Sequence, residues 1–265
     1  MVVRPHKGRL CLTLQTDHAG ATAKIAAAWG GSRFAPVIQR RESVLRSAEI
    51  HDVGWTEWEK RPTIRPDDRR PYSFLAIPQA IHTQIYTRGV QIARGVDPYA
   101  GLLISLHGAG LYNGRFGHME HLPVRPTDPG AEELVARFLA DQKQVQEELI
   151  AEINPDPTLL WTHYRWLQAW DGISLMLCMF EPTDGREILI GTMPTEPGGS
   201  EEAITLKGVG SETWSVSPWP FAGDQLQLAW PVRWVEDRPY ESDEAFQAAF
   251  EAAPLEEQAV TLLPA

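Results

Sequence analysis

The chain has 265 residues, of which 43% are hydrophobic and 22% charged, so its composition excludes disordered and fibrous classes. Its formal net charge of −11 repels phosphate backbones and anionic lipid, and we therefore expect neither duplex nucleic acid nor membranes as partners. Two cysteines, no secretory leader and no apolar run long enough to span a bilayer favour a cytoplasmic protein.

Residues 17 to about 180 show mainly helical patterns, in which capping residues and apolar stripes mark six helices. Asp17 is the expected cap of the first helix, and Asp97 followed by Pro98 is expected to begin the fourth. Apolar residues at three- and four-residue spacing define the two longest helices. The predicted helices span residues 17–29, 42–52, 78–93, 98–112, 130–153 and 158–180.

Beyond Thr183 the sequence changes to short β-favouring runs that are separated by glycine and proline clusters. These runs predict strands at 187–192, 203–209, 213–216 and 226–235, then a helix at 243–252 and a last strand near residue 260. We therefore expect a mainly α protein with a helical domain over residues 1–182 and a β-rich subdomain over residues 183–265.

The second helix carries an ionisable pair at the end of its apolar face. Val44, Leu45 and Ala48 mark that face, and the same stripe continues into His51 and Asp52. Because an unpaired buried charge is strongly unfavourable, this inward pair needs partners in the core.

Three further helices direct ionisable side chains inward. Asp171 takes the place of a leucine in the apolar stripe of the last long helix, so its carboxylate needs a cation. His107 lies on an inner helical face, His82 lies at the margin of another, and His18 lies in the first turn of its helix. Helical bundles build metal sites from such residues on different helices, and imidazole with carboxylate suits iron, manganese, zinc or nickel.

Several segments of the chain look like an uncharacterised bacterial family of unknown function: TDHAGATAKIAAAWG, AEIHDVGWTEWE, PYAGLLISLHGAGLY and LQAWDGISLMLC. The order of His18, then His51 and Asp52, then Asp171 resembles the H…HD…D pattern of the HD-domain metal-dependent phosphohydrolase superfamily, over roughly residues 10–180. The resemblance implies an HD-like helical bundle in which those four residues bind the first of one or two divalent ions.

The resemblance also implies hydrolysis of a small, phosphorylated substrate. Asp52 would be able to bridge to a second ion, and His82 and His107 match the additional histidines of two-metal members. We assign catalysis to Asp52 and His107 and substrate binding to His82. Arg69 and Arg70, within an arginine-rich stretch, are candidates to hold phosphate oxygens.

Two other functions fit the same residues. A two-iron HD-like site can activate dioxygen instead of water, and a chain whose metal is absent or structural would be a ligand-binding module. If every histidine were structural, the inward Asp52 and Asp171 would need other cations. His118 and His121 lie among glycine and proline residues, as in a loop, and are left outside the predicted site.

Overall fold

The computed structural model describes residues 1–117, 125 and 128–265, so His118 and His121 lie outside the described residues. The helices are α1 (Gln15–Ala28), α2 (Arg41–Ile50), α3 (Thr56–Glu59), α4 (Gln79–Val96), α5 (Pro98–Gly110), α6 (Glu132–Ile153), α7 (Pro157–Met179) and α8 (Asp243–Ala252). The strands are β1 (Val2–His6), β2 (Arg9–Thr13), β3 (Glu187–Pro194), β4 (Glu201–Gly208), β5 (Thr213–Ser217), β6 (Leu226–Glu236) and β7 (Leu255–Pro264). Within these ranges no helix combines the length and the apolar character needed to cross a bilayer.

The strands form one sheet in the order β1-β2-β6-β7-β5-β4-β3. Neighbouring strands are antiparallel, except that β5 and β7 run parallel. The predicted mainly α class, an HD-like helical bundle with a small β tail, is therefore wrong. The protein has a mixed fold in which a seven-stranded sheet contains both ends of the chain.

The first two strands form a hairpin that the sequence prediction missed. Lys7 and Gly8 join β1 to β2 with φ angles of 48° and 78°, and two-residue turns with positive φ fit the twist of paired strands. Beyond the hairpin, β2 pairs with β6, where Leu10 lies opposite Val235. Pairing over such a sequence separation depends on the tertiary fold, which local patterns do not reveal.

The helices and the sheet share one aromatic core. Trp29, after α1, packs against Trp166 and Trp170 of α7 and against Phe221, with ring centroids 5.8–6.0 Å apart. All four rings are buried. Phe221 belongs to the predicted β-rich subdomain, so the core continues across the predicted boundary near residue 182. The division into two domains stays a prediction.

Side-chain caps explain where two helices of the site begin. Asp97 accepts a hydrogen bond from the Ala100 backbone nitrogen (2.9 Å) at the start of α5, and Asp156 accepts one from the Leu159 nitrogen (2.8 Å) at the start of α7. The prediction for Asp97 is confirmed. Asp17 is not a cap, because α1 begins two residues earlier and Asp17 lies in its first turn.

Gly54 allows the turn after α2 to pack directly on the backbone of α4. A Cβ atom at position 54 would lie 2.0 Å from the Ile85 carbonyl oxygen and 3.0 Å from the Gly89 nitrogen. We expect Gly54→Ala to lower the free energy of unfolding in urea by roughly 1–3 kcal/mol. Gly95→Ala, in α4 with open space around its Cβ, is the control and should stabilise by at most about 1 kcal/mol. Equal effects of the two substitutions would contradict this packing.

Candidate metal centre

Four ionisable side chains from α1, the end of α2 and α7 meet in the core. His18 Nε2 lies 3.3 Å from His51 Nε2, 3.2 Å from Asp52 Oδ2 and 3.4 Å from Asp171 Oδ1. His51 Nε2 lies 3.5 Å from Asp52 Oδ2 and 3.4 Å from Asp171 Oδ1. The structure thus brings together the four side chains that the sequence predicts as metal ligands.

Five of the six separations between these atoms match those between the ligands of a single ion. A tetrahedral site with metal–ligand distances of about 2.0–2.1 Å has ligand atoms about 3.3–3.4 Å apart. The five separations that involve His18 or His51 lie between 3.2 and 3.5 Å. This donor set, two imidazoles and two carboxylates, could therefore hold a metal ion, and the identity of the ion stays a prediction.

Hydrogen bonds at the other nitrogen of each imidazole direct its Nε2 lone pair into the cluster. His51 Nδ1 donates to the Ala48 carbonyl oxygen (3.0 Å). The Ser174 hydroxyl donates to the Asp171 carbonyl oxygen (3.1 Å), so its oxygen is able to accept from His18 Nδ1 at 2.6 Å. Contacts of this kind fix the tautomer of metal-binding histidines. Two Nε2 atoms that face each other at 3.3 Å need either a proton shared between them or a metal cation beside them.

Both carboxylate oxygens of Asp52 accept further hydrogen bonds. Oδ2, on the side of the two histidines, accepts from Gln15 Nε2 (3.1 Å), and Oδ1 accepts from the Tyr86 hydroxyl (3.0 Å). Gln15 begins α1 and Tyr86 lies within α4, so these bonds hold the end of α2 against two helices. The sequence analysis missed both residues, because a tyrosine on an apolar helical face and a glutamine at a helix start are common structural features.

Burial and charge have opposite effects on the protonation of the cluster. Burial lowers the pKa of His51, but Asp52 and Asp171 raise it more strongly, to about 9. Burial raises the pKa of both carboxyl groups, yet the histidines around them hold both pKa values below the usual range. Two buried carboxylates therefore stay ionised, and positive charge within the cluster is needed to balance them.

His107, on α5, lies beside the same cluster. Its ring forms, with His51 and Asp171, a group whose potential ligand atoms all lie within 4.8 Å of one another. Gln168 Nε2 donates to His107 Nδ1 (2.7 Å), which places the ring proton on Nε2. Burial lowers the pKa of His107 to about 4, so the ring is neutral at pH 7.

His82, on α4, packs against Tyr86. Its ring centroid is 4.8 Å from that of Tyr86, and its Nδ1 lies 2.6 Å from the Tyr112 hydroxyl oxygen. Burial lowers its pKa well below the usual value. These contacts place His82 next to a hydrogen-bonding partner of Asp52, and its role in substrate binding stays a prediction.

Arg69 and Arg70 lie in the segment that joins α3 to α4 and contact the chain just after β6. Arg70 Nε donates to Asp237 Oδ1 (2.7 Å), and the Arg69 carbonyl oxygen accepts from the Tyr240 nitrogen (2.9 Å). These two hydrogen bonds connect the arginine pair to the sheet side of the molecule. The predicted role of both residues in holding phosphate stays a prediction.

Comparison with known proteins supports the predicted family and gives no activity. No curated protein and no solved structure matches the chain. Nothing in the comparisons links it to the HD-domain superfamily, so that resemblance rests on the order of the four residues. A family described as "Protein of unknown function (DUF3891)" matches residues 1–237, which include the whole candidate centre. The chain therefore belongs to the DUF3891 family.

Proposed function

We propose that the chain is a metal-dependent hydrolase of a small phosphorylated molecule, with one divalent ion held by His18, His51, Asp52 and Asp171. The observation that carries the proposal is the buried cluster of four donor atoms, in which both histidine nitrogens lie 3.2–3.5 Å from each other and from the two carboxylates. Iron, manganese, zinc and nickel all suit these donors. The ligand order, which resembles that of HD-domain phosphohydrolases, supports phosphate chemistry.

Oδ2 of Asp52 is the oxygen that would bind the proposed single ion. A carboxylate that bridges two ions uses one oxygen for each, but the Tyr86 hydroxyl already donates to Oδ1 of Asp52 at 3.0 Å. The remaining oxygen, Oδ2, lies 3.2 Å from His18 Nε2 and belongs to the cluster.

Asp171 is the most exposed of the four proposed ligands, and we expect a substrate to approach from its side. The Asp171 side chain is 11% exposed, whereas those of His18, His51 and Asp52 are at most 2% exposed. A substrate that enters from this side meets Asp171 first, while the other ligands remain shielded from bulk water. Exclusion of water strengthens electrostatic interactions with the developing charge of the reaction.

A divalent ion, when bound, supplies Lewis acidity that makes water a nucleophile near neutral pH. In hydrolysis, the water oxygen forms a bond to phosphorus, the bond from phosphorus to the leaving oxygen breaks, and that oxygen gains a proton. His107 carries a proton on Nε2, because its Nδ1 accepts from Gln168. We assign to His107 Nε2 the hydrogen bond to the reacting phosphoryl group or leaving oxygen.

Release of inorganic phosphate tests this proposal. The chain, loaded separately with manganese, iron, zinc or nickel, is expected to hydrolyse at least one member of a panel of small phosphate monoesters and diesters. Excess chelator should abolish the activity, and added metal should restore it. Oxygen consumption by the iron-loaded chain without phosphate release would instead support the oxygenase. A folded chain that is inactive in both assays would contradict the proposal and support a binding module.

A further inference from the structure

The Tyr164 hydroxyl lies in the core and forms no hydrogen bond with the described residues. Tyr164 is on α7, seven residues before Asp171 and therefore on the same face of the helix. The residue is 0% exposed, and its hydroxyl oxygen has no hydrogen-bonding partner in the part of the chain that the structure describes. Leaving a buried hydroxyl without a partner is unfavourable, so a polar ligand at this position would remove a cost to the fold.

Gly110 shows where this hydroxyl points. A Cβ atom at position 110 would lie 2.2 Å from the Tyr164 hydroxyl oxygen and 3.5 Å from the Arg115 Cα. The hydroxyl therefore faces the end of α5, at the start of the segment that carries Arg115. His107 is three residues before Gly110, on the same side of α5. The Tyr164 hydroxyl, Arg115 and His107 thus lie around the end of one helix.

Packing of aromatic rings fixes the direction of the Tyr164 hydroxyl. Phe116 and Trp161 both meet the Tyr164 ring edge-on, with ring centroids 5.7 and 5.6 Å from it. An edge-on arrangement of this kind favours a single ring orientation. The hydroxyl is consequently held towards Gly110 rather than free to turn to solvent.

Arg115 brings a positively charged side chain to the end of α5, where its Cα lies next to Gly110. Its guanidinium interacts electrostatically with Tyr164, Asp171 and Tyr86, and it also acts on His107. The residue is partly buried. A guanidinium presents a planar fork of donors that matches two oxygens of a phosphate group.

We propose that Arg115 and the Tyr164 hydroxyl form an anion subsite at the end of α5, which binds a phosphate group of the substrate. The inference rests on the proposed function for the identity of the anion. It assigns a substrate-binding role to two residues that the sequence analysis did not select. In the sequence, Tyr164 looks like an ordinary core residue of the apolar stripe of α7. Arg115 lies in a predicted loop without a recognisable motif.

Titration with inorganic phosphate, followed by calorimetry, tests the subsite on the full chain in its metal-loaded form. We expect Arg115→Gln to weaken phosphate binding by roughly tenfold to a hundredfold, as for loss of a charged hydrogen bond. Tyr164→Phe should weaken it by roughly threefold to tenfold and should leave the melting temperature of the phosphate-free protein unchanged or raised. Arg33→Gln, at an exposed arginine paired with Glu202, is the control and should bind phosphate as the wild type does.

Two outcomes would overturn the subsite. One is equal phosphate affinity of the wild type and Arg115→Gln. The other is a lower melting temperature of phosphate-free Tyr164→Phe together with unchanged phosphate affinity.

Metal analysis of the same samples separates this inference from the proposed metal centre. If the wild type takes up no metal, the titration is repeated on the metal-free chain. Phosphate binding that depends on Arg115 there would support the subsite while the proposed metal centre fails. No phosphate binding in either form would overturn the subsite.

Discussion

Replacement of Asp52 by asparagine is expected to weaken metal binding by more than roughly 100-fold, because even residues that only support metal ligands contribute 10–100-fold to affinity. Asparagine has nearly the same shape as aspartate and retains an oxygen able to accept from Tyr86, whose hydroxyl lies 3.0 Å from Oδ1. It removes the negative charge at Oδ2, which lies 3.2 Å from His18 Nε2. Competition with a chromogenic chelator gives the affinity, and circular dichroism verifies the fold.

Asp17→Asn is the matched control for this substitution. Asp17 is in the first turn of α1, one residue before His18, and does not belong to either group of potential ligands. We expect Asp17→Asn to bind metal with wild-type affinity. Equal metal affinity of the wild type and Asp52→Asn would contradict the assignment of Asp52 as a ligand.

Replacement of His107 by alanine is expected to lower kcat for phosphate release by roughly 10²–10⁴-fold, the usual contribution of a side chain that transfers or holds a proton in the reaction. Metal content should remain at the wild-type level, because four other residues supply the ligands. Steady-state kinetics of the metal-loaded variant, with metal analysis of the same sample, measure both quantities.

His163→Ala provides a control for the loss of a buried histidine. His163 is on α7, its Nδ1 lies 2.8 Å from the Tyr99 hydroxyl oxygen, and burial lowers its pKa to about 4. Like His107, it is buried and hydrogen-bonded. We expect His163→Ala to reduce stability and to leave kcat of the folded fraction unchanged. Loss of bound metal from His107→Ala would make His107 a ligand and contradict the role assigned to it.

The helices of this chain are predictable from local sequence because their signals are local. Asp97 with Pro98 begins α5 through a hydrogen bond to the third residue of the helix, and the apolar stripes of α6 and α7 repeat within each helix. The predicted helix over residues 243–252 is confirmed residue by residue as α8. Each of these signals lies within a few residues of the structure that it specifies.

The sheet was not predictable in the same way. The strands after Thr183 show individual β signals, but their partners are set by contacts over long sequence separations, such as Leu10 with Val235. Residues 2–13 contain a hairpin whose turn, Lys7 and Gly8, carries a weak sequence signal compared with the helical stripes that follow it. A prediction from periodicity therefore overstated the helical part of the fold.

The candidate site shows a similar division. His51, Asp52 and Asp171 were predicted because charged residues occupy positions that helical periodicity turns inward, and the structure places them together with His18. Tyr86 was not predicted, since its hydroxyl contact with Asp52 is invisible in an apolar pattern. Residues that contribute one polar atom to a site, or that reach it from a loop, require a three-dimensional structure to be recognised.

Metal content of the untagged wild-type chain tests the central claim most directly. Elemental analysis by mass spectrometry, on protein purified without a histidine tag and on protein reconstituted with manganese, iron, zinc or nickel, gives the number of ions per chain. The proposed centre predicts one transition-metal ion per chain. A folded chain that holds no metal after purification, and takes up none on reconstitution, would contradict it.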